Sequence, residues 1–137
     1  MTGADVVNAA RNYLGTPFVH QGRMPGIALD CAGLVVQVAK DMGVEHVDVT
    51  GYGRRPTGEL RTVLAAQPQL VQVSIVDRCV GDILIMRFAK EPQHLAICAG
   101  ATVIHSYEAA GKCCEHDLTP EWVNRITHVW RFAGVES

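Results

Sequence analysis

Nothing in this 137-residue chain approaches the unbroken apolar run of roughly 20 residues that a membrane-crossing helix needs. An excess of one charge is also missing. Twelve Lys and Arg against fourteen Asp and Glu leave a net charge of -2, which gives no electrostatic basis for binding nucleic acid or an anionic membrane surface. The start, Met1-Thr2-Gly3-Ala4-Asp5, lacks the basic end and apolar stretch of a secretory leader, so the chain is expected to be cytoplasmic when made. There is no C-x-x-C pair. The cysteines at 31, 79, 98, 113 and 114 are odd in number, which argues for reduced thiols rather than a disulfide framework. Cys113 and Cys114 are adjacent and would point to opposite faces of an extended segment, which argues against a shared zinc. No metal or cofactor is expected. Repeats, low-complexity stretches and linkers are absent too, so residues 1–137 read as a single domain. What is present is globular in character, with 48% hydrophobic and 19% charged residues.

The stretch from Leu29 to Gly43 organises the rest. Asp30 is a good N-cap and Gly43 a good left-handed stop. Between them Cys31, Leu34, Val35, Val38 and Met42 fall on one helical face. The first turn of a helix carries partial positive charge, so a cysteine there is expected to have a lowered pKa, with free N–H groups beside it to hold an oxyanion. On the helix alone, the favoured reading of Cys31 is a small buried hydrophobe, as most free cysteines are.

Around this element the pattern predicts a first helix over 3–14, capped by Thr2 and stopped by Gly15, with Val6, Ala9, Ala10, Tyr13 and Leu14 as its apolar stripe. A breaker-rich loop at 21–26 follows. Gly51–Pro56 reads as surface loop, and Thr57 as the cap of a short helix through Leu60, Val63 and Leu64, ended by Pro68. The second half is strand-rich at 70–76, 82–88, 94–99, 102–107, 112–116 and 127–132, with Thr119-Pro120 opening a short helix. Helices first and sequential strands later make an α+β fold with a mostly antiparallel sheet.

A thiol nucleophile needs a base, and the base needs a group to orient it. His94 begins one expected strand and His105 ends the next. A turn at Gly100-Ala101 sets them at similar height on neighbouring strands, so that one imidazole can take the thiol proton while the other fixes its tautomer. His46, His116 and His128 read as surface or rim residues without chemistry.

Three segments together carry a resemblance. They are Leu14-Gly15-Thr16-Pro17-Phe18 with Asp30-Cys31-Ala32-Gly33-Leu34-Val35, then Gly81-Asp82-Ile83-Leu84 with His94-Leu95-Ala96-Ile97, and finally Val103-Ile104-His105-Ser106. In this order they resemble the NlpC/P60 family of cysteine peptidases, which cut peptide bonds in bacterial peptidoglycan. The resemblance implies a papain-like α+β core, with N-terminal helices and the nucleophile helix packed on a mostly antiparallel β-sheet. It implies Cys31 as nucleophile, His94 as base and then acid, and His105 as the residue that orients His94. The implied substrate is a stem peptide cut at the γ-D-glutamyl–diamino-acid bond, with Phe18, His20, Gln21, Asp30 and Arg54 as substrate-binding candidates; Arg23 and Arg55 could also meet its carboxylates, although solvated arginines are commoner. The segment Gly15-Thr16-Pro17-Phe18-Val19-His20-Gln21-Gly22 is similar to the phage-tail branch, which implies phage-tail proteins as partners.

Two positions depart from the family pattern. Ala32 stands where Ser is usual, with little expected consequence. Phe18 stands where Tyr is usual and lacks the phenol that lies near the thiol; losing one oxyanion donor can cost about 10²-fold in rate. His20 or Gln21 could supply a donor instead. The substitution also keeps two other readings open: a structural component of a tail tip with vestigial activity, and an amidase or acyltransferase using the same Cys–His pair.

Overall fold

The computed structural model describes residues 1–48, 50–53, 59–88 and 91–136. Helix α1 (Gly3–Arg11) opens with a capping box: the Thr2 hydroxyl accepts from the Asp5 N–H and the Asp5 carboxylate accepts from the Thr2 N–H. Its buried stripe is Val6, Val7, Ala9 and Ala10. The helix stops three residues earlier than the periodicity predicts. Residues 12–15 are turns, Leu14 is exposed, and Gly15 takes a φ of 87°. The 21–26 stretch is also more ordered than its breakers suggest, because β1 (Arg23–Met24) pairs with β2 (Ala28–Leu29) in a small hairpin.

Helix α2 (Cys31–Asp41) follows, and α3 (Glu59–Ala65) comes after the loop. Thr57, expected to cap α3, lies outside the described residues, as do Arg54 and Arg55. The remaining strands are β3 (Leu70–Val73), β4 (Ile83–Phe88), β5 (Glu91–Cys98), β6 (Thr102–Tyr107), β7 (Lys112–Asp117) and β8 (Ile126–Phe132), with α4 (Pro120–Val123) between the last two. β3 is shorter than the apolar pattern because the chain turns at Ile75–Asp77 and exposes Val76. The six long strands form one antiparallel sheet in the order β3-β8-β4-β5-β6-β7.

β4 is central and is covered on both faces, which explains why Ile83-Leu84-Ile85-Met86 is a continuous apolar run with no alternation. Ile83 and Ile85, with Leu95, Ile97 and Ile104, face the helices, where Leu34 and Val38 of α2 are fully buried. Leu84 and Met86, with Ala96 and Val103, face a second, smaller core beside Trp122 and Val123 of α4. Each such aliphatic side chain contributes about 1.5–3 kcal/mol when fully buried. This is the expected α+β architecture, with the cysteine helix packed against an antiparallel sheet.

One irregularity prepares the site. β5 and β6 pair only at Ile97↔Ile104 and Cys98↔Val103, although both strands run on towards Glu91 and Tyr107. Beyond Ile97 the two strands part, and the N-terminal end of α2 meets the opening.

Candidate active site

Asp30 caps α2 as its residue type predicts, but it does more than cap. Its Oδ1 accepts from the Gly33 N–H at 2.8 Å and from the Arg23 guanidinium at 2.8 Å. Its Oδ2 accepts from the Gln21 N–H at 2.9 Å and from the Tyr52 hydroxyl. Arg23 in turn reaches Asp48 and the Tyr52 oxygen. Burial and the Asp30 contact push the Tyr52 phenol upward, so it stays protonated and donates. Arg23 is therefore an internal brace rather than a solvated arginine. The carboxylate of Asp30 spends its capacity inside the protein, with four donors on two oxygens.

Gly33 is required by this packing. A Cβ there would lie 2.2 Å from the Gly22 carbonyl oxygen, so only glycine lets the 20–23 segment rest on the first turn of α2. From the sheet side, the Ser106 hydroxyl donates to the Leu29 carbonyl at 2.7 Å and anchors the residues just before Cys31.

The sulfur of Cys31 is buried, and the backbone N–H groups of Leu95 and Ala32 lower its pKa. Leu95 is on β5, where that strand has left β6. The pKa of the thiol runs opposite to the expectation from the helix start. Burial, and after it the Asp30 carboxylate, pushes it up to about 12, and the nearby Leu95 and Ala32 N–H groups only partly offset them. The effect of the first turn is local and modest, whereas desolvation acts on the whole charge.

His94 and His105 do meet, though not as directly opposed residues. Counted along the Ile97↔Ile104 register, His94 falls across from Tyr107, one diagonal step from His105. The diagonal is bridged by the rings themselves, with His94 Nε2 2.5 Å from His105 Nδ1. Both imidazoles are buried. Burial, then the neighbouring His105, holds His94 well below the usual histidine range, and burial lowers His105 to about 3. In the resting protein the thiol and both imidazoles are accordingly neutral.

Three aromatic residues that the sequence reading passed over hold these rings. Phe88 stacks on His94 with 4.6 Å between centroids, Tyr107 stacks on His105 at 5.0 Å, and Trp122 meets His105 edge-on at 5.3 Å. His116, read from the sequence as a surface or rim residue, is half-buried and reaches the same cluster, with its Nε2 2.8 Å from His105 Nε2. The signal available was its position on β7, next to β6.

A cleft of about 500 Å³ opens over the sulfur and is lined by Phe18, His20, Asp30, Cys31, Tyr52 and His94, among others. His105 lies behind His94 rather than on the wall. Gln21 takes a left-handed φ of 61° and turns its amide to the Tyr52 carbonyl at 2.9 Å, which commits it internally. His20 stands edge-on to Tyr52 within the cleft. Arg54 lies outside the described residues.

A helix-start cysteine set against a pair of sheet histidines is the papain-like arrangement, and that fold class is what the architecture defines. The chain belongs to the NlpC/P60 family, whose model matches residues 15–131. Solved structures agree on the fold. An NlpC/P60 family protein from Bacillus cereus ATCC 10987 is 22% identical with a TM-score of 0.70, over 96% of this chain and 40% of that one. The NlpC/p60 domain of the peptidoglycan hydrolase SagA is 23% identical with a TM-score of 0.64, over 94% and 97%. The peptidoglycan hydrolase RipB from Mycobacterium tuberculosis is 18% identical with a TM-score of 0.66, over 94% and 63%. The chain thus spans well under half the length of the Bacillus protein and nearly all of the SagA domain. No curated protein sequence matches it significantly.

Proposed function

We propose that this chain is a cysteine peptidase that hydrolyses an amide bond in peptidoglycan stem peptides, at the γ-D-glutamyl–diamino-acid linkage. The observation that carries the reading is the 2.5 Å contact of His94 with His105 beside the cleft that holds Cys31. Membership of the NlpC/P60 family and the likeness to the peptidoglycan hydrolases SagA and RipB support the substrate class.

Because thiol and imidazole are both neutral at rest, proton transfer accompanies attack. As the Cys31 sulfur bonds to the carbonyl carbon, His94 takes the thiol proton, and N–H groups at the start of α2 hold the oxyanion. His94 then gives that proton to the leaving amine as the C–N bond breaks. Water, deprotonated by His94, then attacks the acyl carbon; the C–S bond breaks, the acid leaves, and His94 returns the proton to the sulfur. The test is incubation with purified muropeptides, wild type against Cys31→Ala, read by mass spectrometry. The expected result is one new pair of fragments with a free amine on the diamino acid, absent in the variant. Intact muropeptides with both proteins overturn the proposal, and a product carrying an added acceptor replaces it with the acyltransferase reading.

The Gly15–Gly22 segment supports a phage or prophage tail as the setting. A structural tail-tip role with vestigial activity is the second reading. It is favoured by Phe18, which lines the cleft with a ring that has no hydroxyl.

A further inference from the structure

The contacts of His105 do not end at His94. His105 Nε2 lies 2.8 Å from His116 Nε2, and His116 Nδ1 lies 2.9 Å from the Asp117 carbonyl oxygen. A carbonyl only accepts, so the proton of neutral His116 is on Nδ1 and its Nε2 is bare. Its bare Nε2 accepts the Nε2–H of His105. That leaves His105 Nδ1 bare, to accept the Nε2–H of His94 at 2.5 Å. Each choice forces the next, and the nitrogen left unprotonated on His94 is Nδ1.

We infer that His116 is a positioning residue, the outer end of a three-histidine wire whose protonation sets the tautomer of His94. When His116 gains a proton, its Nε2 becomes a donor and can no longer accept from His105. His105 must present a bare Nε2, so its proton moves to Nδ1 and donates to His94 Nε2. His94 then carries its own proton on Nδ1, and its lone pair points into the wire. One proton added at the half-buried end reverses both ring–ring hydrogen bonds, switches the tautomers of His105 and His94, and removes the base. This inference rests on the reading of His94 as the base, and it adds a residue and a regulation that this reading does not contain.

The surroundings suit such a device. Trp122 lies against both His105 and His116, at centroid distances of 5.3 and 4.8 Å, and keeps the two rings in register. His105 on β6 faces His116, Cys114 and Lys112 lie along the same face of β7, and on the α4 side are Arg125, whose guanidinium carbon is 5.0 Å from the Trp122 ring centre, and Glu121, which pairs with Arg125 at 3.9 Å. Glu115 and Asp117 point to the opposite face of β7, where Glu115 pairs with Arg11 at 2.8 Å. Neither Glu115 nor Asp117 therefore competes for the outer proton from within the wire.

The test is a long-range proton–nitrogen correlation spectrum of the full chain labelled with 15N-histidine, followed through the titration of His116. The wild type is expected to show Nε2–H on His94 and His105 at alkaline pH, with both switching to Nδ1–H at the midpoint of His116. In His116→Glu, whose carboxylate accepts at every pH in the range, both are expected to keep Nε2–H throughout. The acid limb of kcat is expected to follow the wild-type midpoint and to vanish in the variant. Tautomers of His94 and His105 that ignore the state of His116 overturn the wire, and the wild-type titration alone decides this if the variant does not fold. The spectra do not depend on turnover, so an inactive protein whose tautomers switch as expected upholds the wire and overturns only the peptidase reading.

Discussion

The backbone N–H of Leu95 acts on the sulfur of Cys31 and favours its thiolate, although the two residues are far apart in the chain. The paired register of β5 with β6 ends at Ile97↔Ile104, so this N–H is one that a continued ladder would use. The residue before Leu95 is His94, so the separation that supplies this donor also delivers the imidazole to the mouth of the cleft.

The thiol should behave as a weak acid in the free protein. With its pKa pushed up to about 12 by burial and by Asp30, alkylation of Cys31 by iodoacetamide is expected to be slow at neutral pH and still climbing at about pH 10. Asp30→Asn removes one of the two raising influences and should speed alkylation at neutral pH. A plateau below about pH 8 in the wild type would show a preformed thiolate–imidazolium pair instead.

Acid should unfold the protein through its buried histidines. His94 and His105 have folded pKa values below the unfolded value near 6.5, and His105 falls to about 3. The unfolded chain binds more protons between those limits, so stability is full above about pH 6.5 and declines as pH falls towards 3, by at most about 1.4 kcal/mol per pH unit for each ring. Urea midpoints measured from about pH 8 down to 4 should fall in this window, and more shallowly in a His105→Gln variant.

Tyr52→Phe should destabilise the start of α2. The phenol donates to Asp30 and accepts from Arg23 Nη2 at 2.9 Å, so its loss leaves both charged partners short of a contact in a buried setting. The expected loss is about 1–3 kcal/mol in chemical denaturation.

Gly33→Ala should be at least as damaging. The added methyl meets the Gly22 carbonyl at 2.2 Å, and relieving that overlap requires the 20–23 segment to move off the helix. A loss of about 1–3 kcal/mol is expected, with a lower kcat/KM because Asp30 loses its register with Gln21 and Arg23.

Phe18→Tyr restores a hydroxyl at the wall of the cleft and is expected to raise kcat on muropeptides, by up to about 10²-fold where the missing donor limits the rate. Unchanged kinetics would assign that stabilisation to backbone N–H groups or to His20.

The sequence by itself determined the elements that local chemistry controls. Asp30 had to cap and Gly43 had to stop the helix, because a short carboxylate and a residue free of Cβ satisfy those ends wherever they occur. The strands of the second half and the pairing of His94 with His105 were legible for the same reason, since alternation and a tight turn act over a few residues. Three matters were decided only by the tertiary structure. The thiol pKa rose because the depth of Cys31 under the sheet outweighs the helix start, and depth is a property of the packed molecule. Asp30 became a four-donor hub because Gln21, Arg23 and Tyr52 converge on it from separate segments. His116 joined the histidines through β6–β7 pairing and the wedge of Trp122, a convergence of residues that no periodicity records.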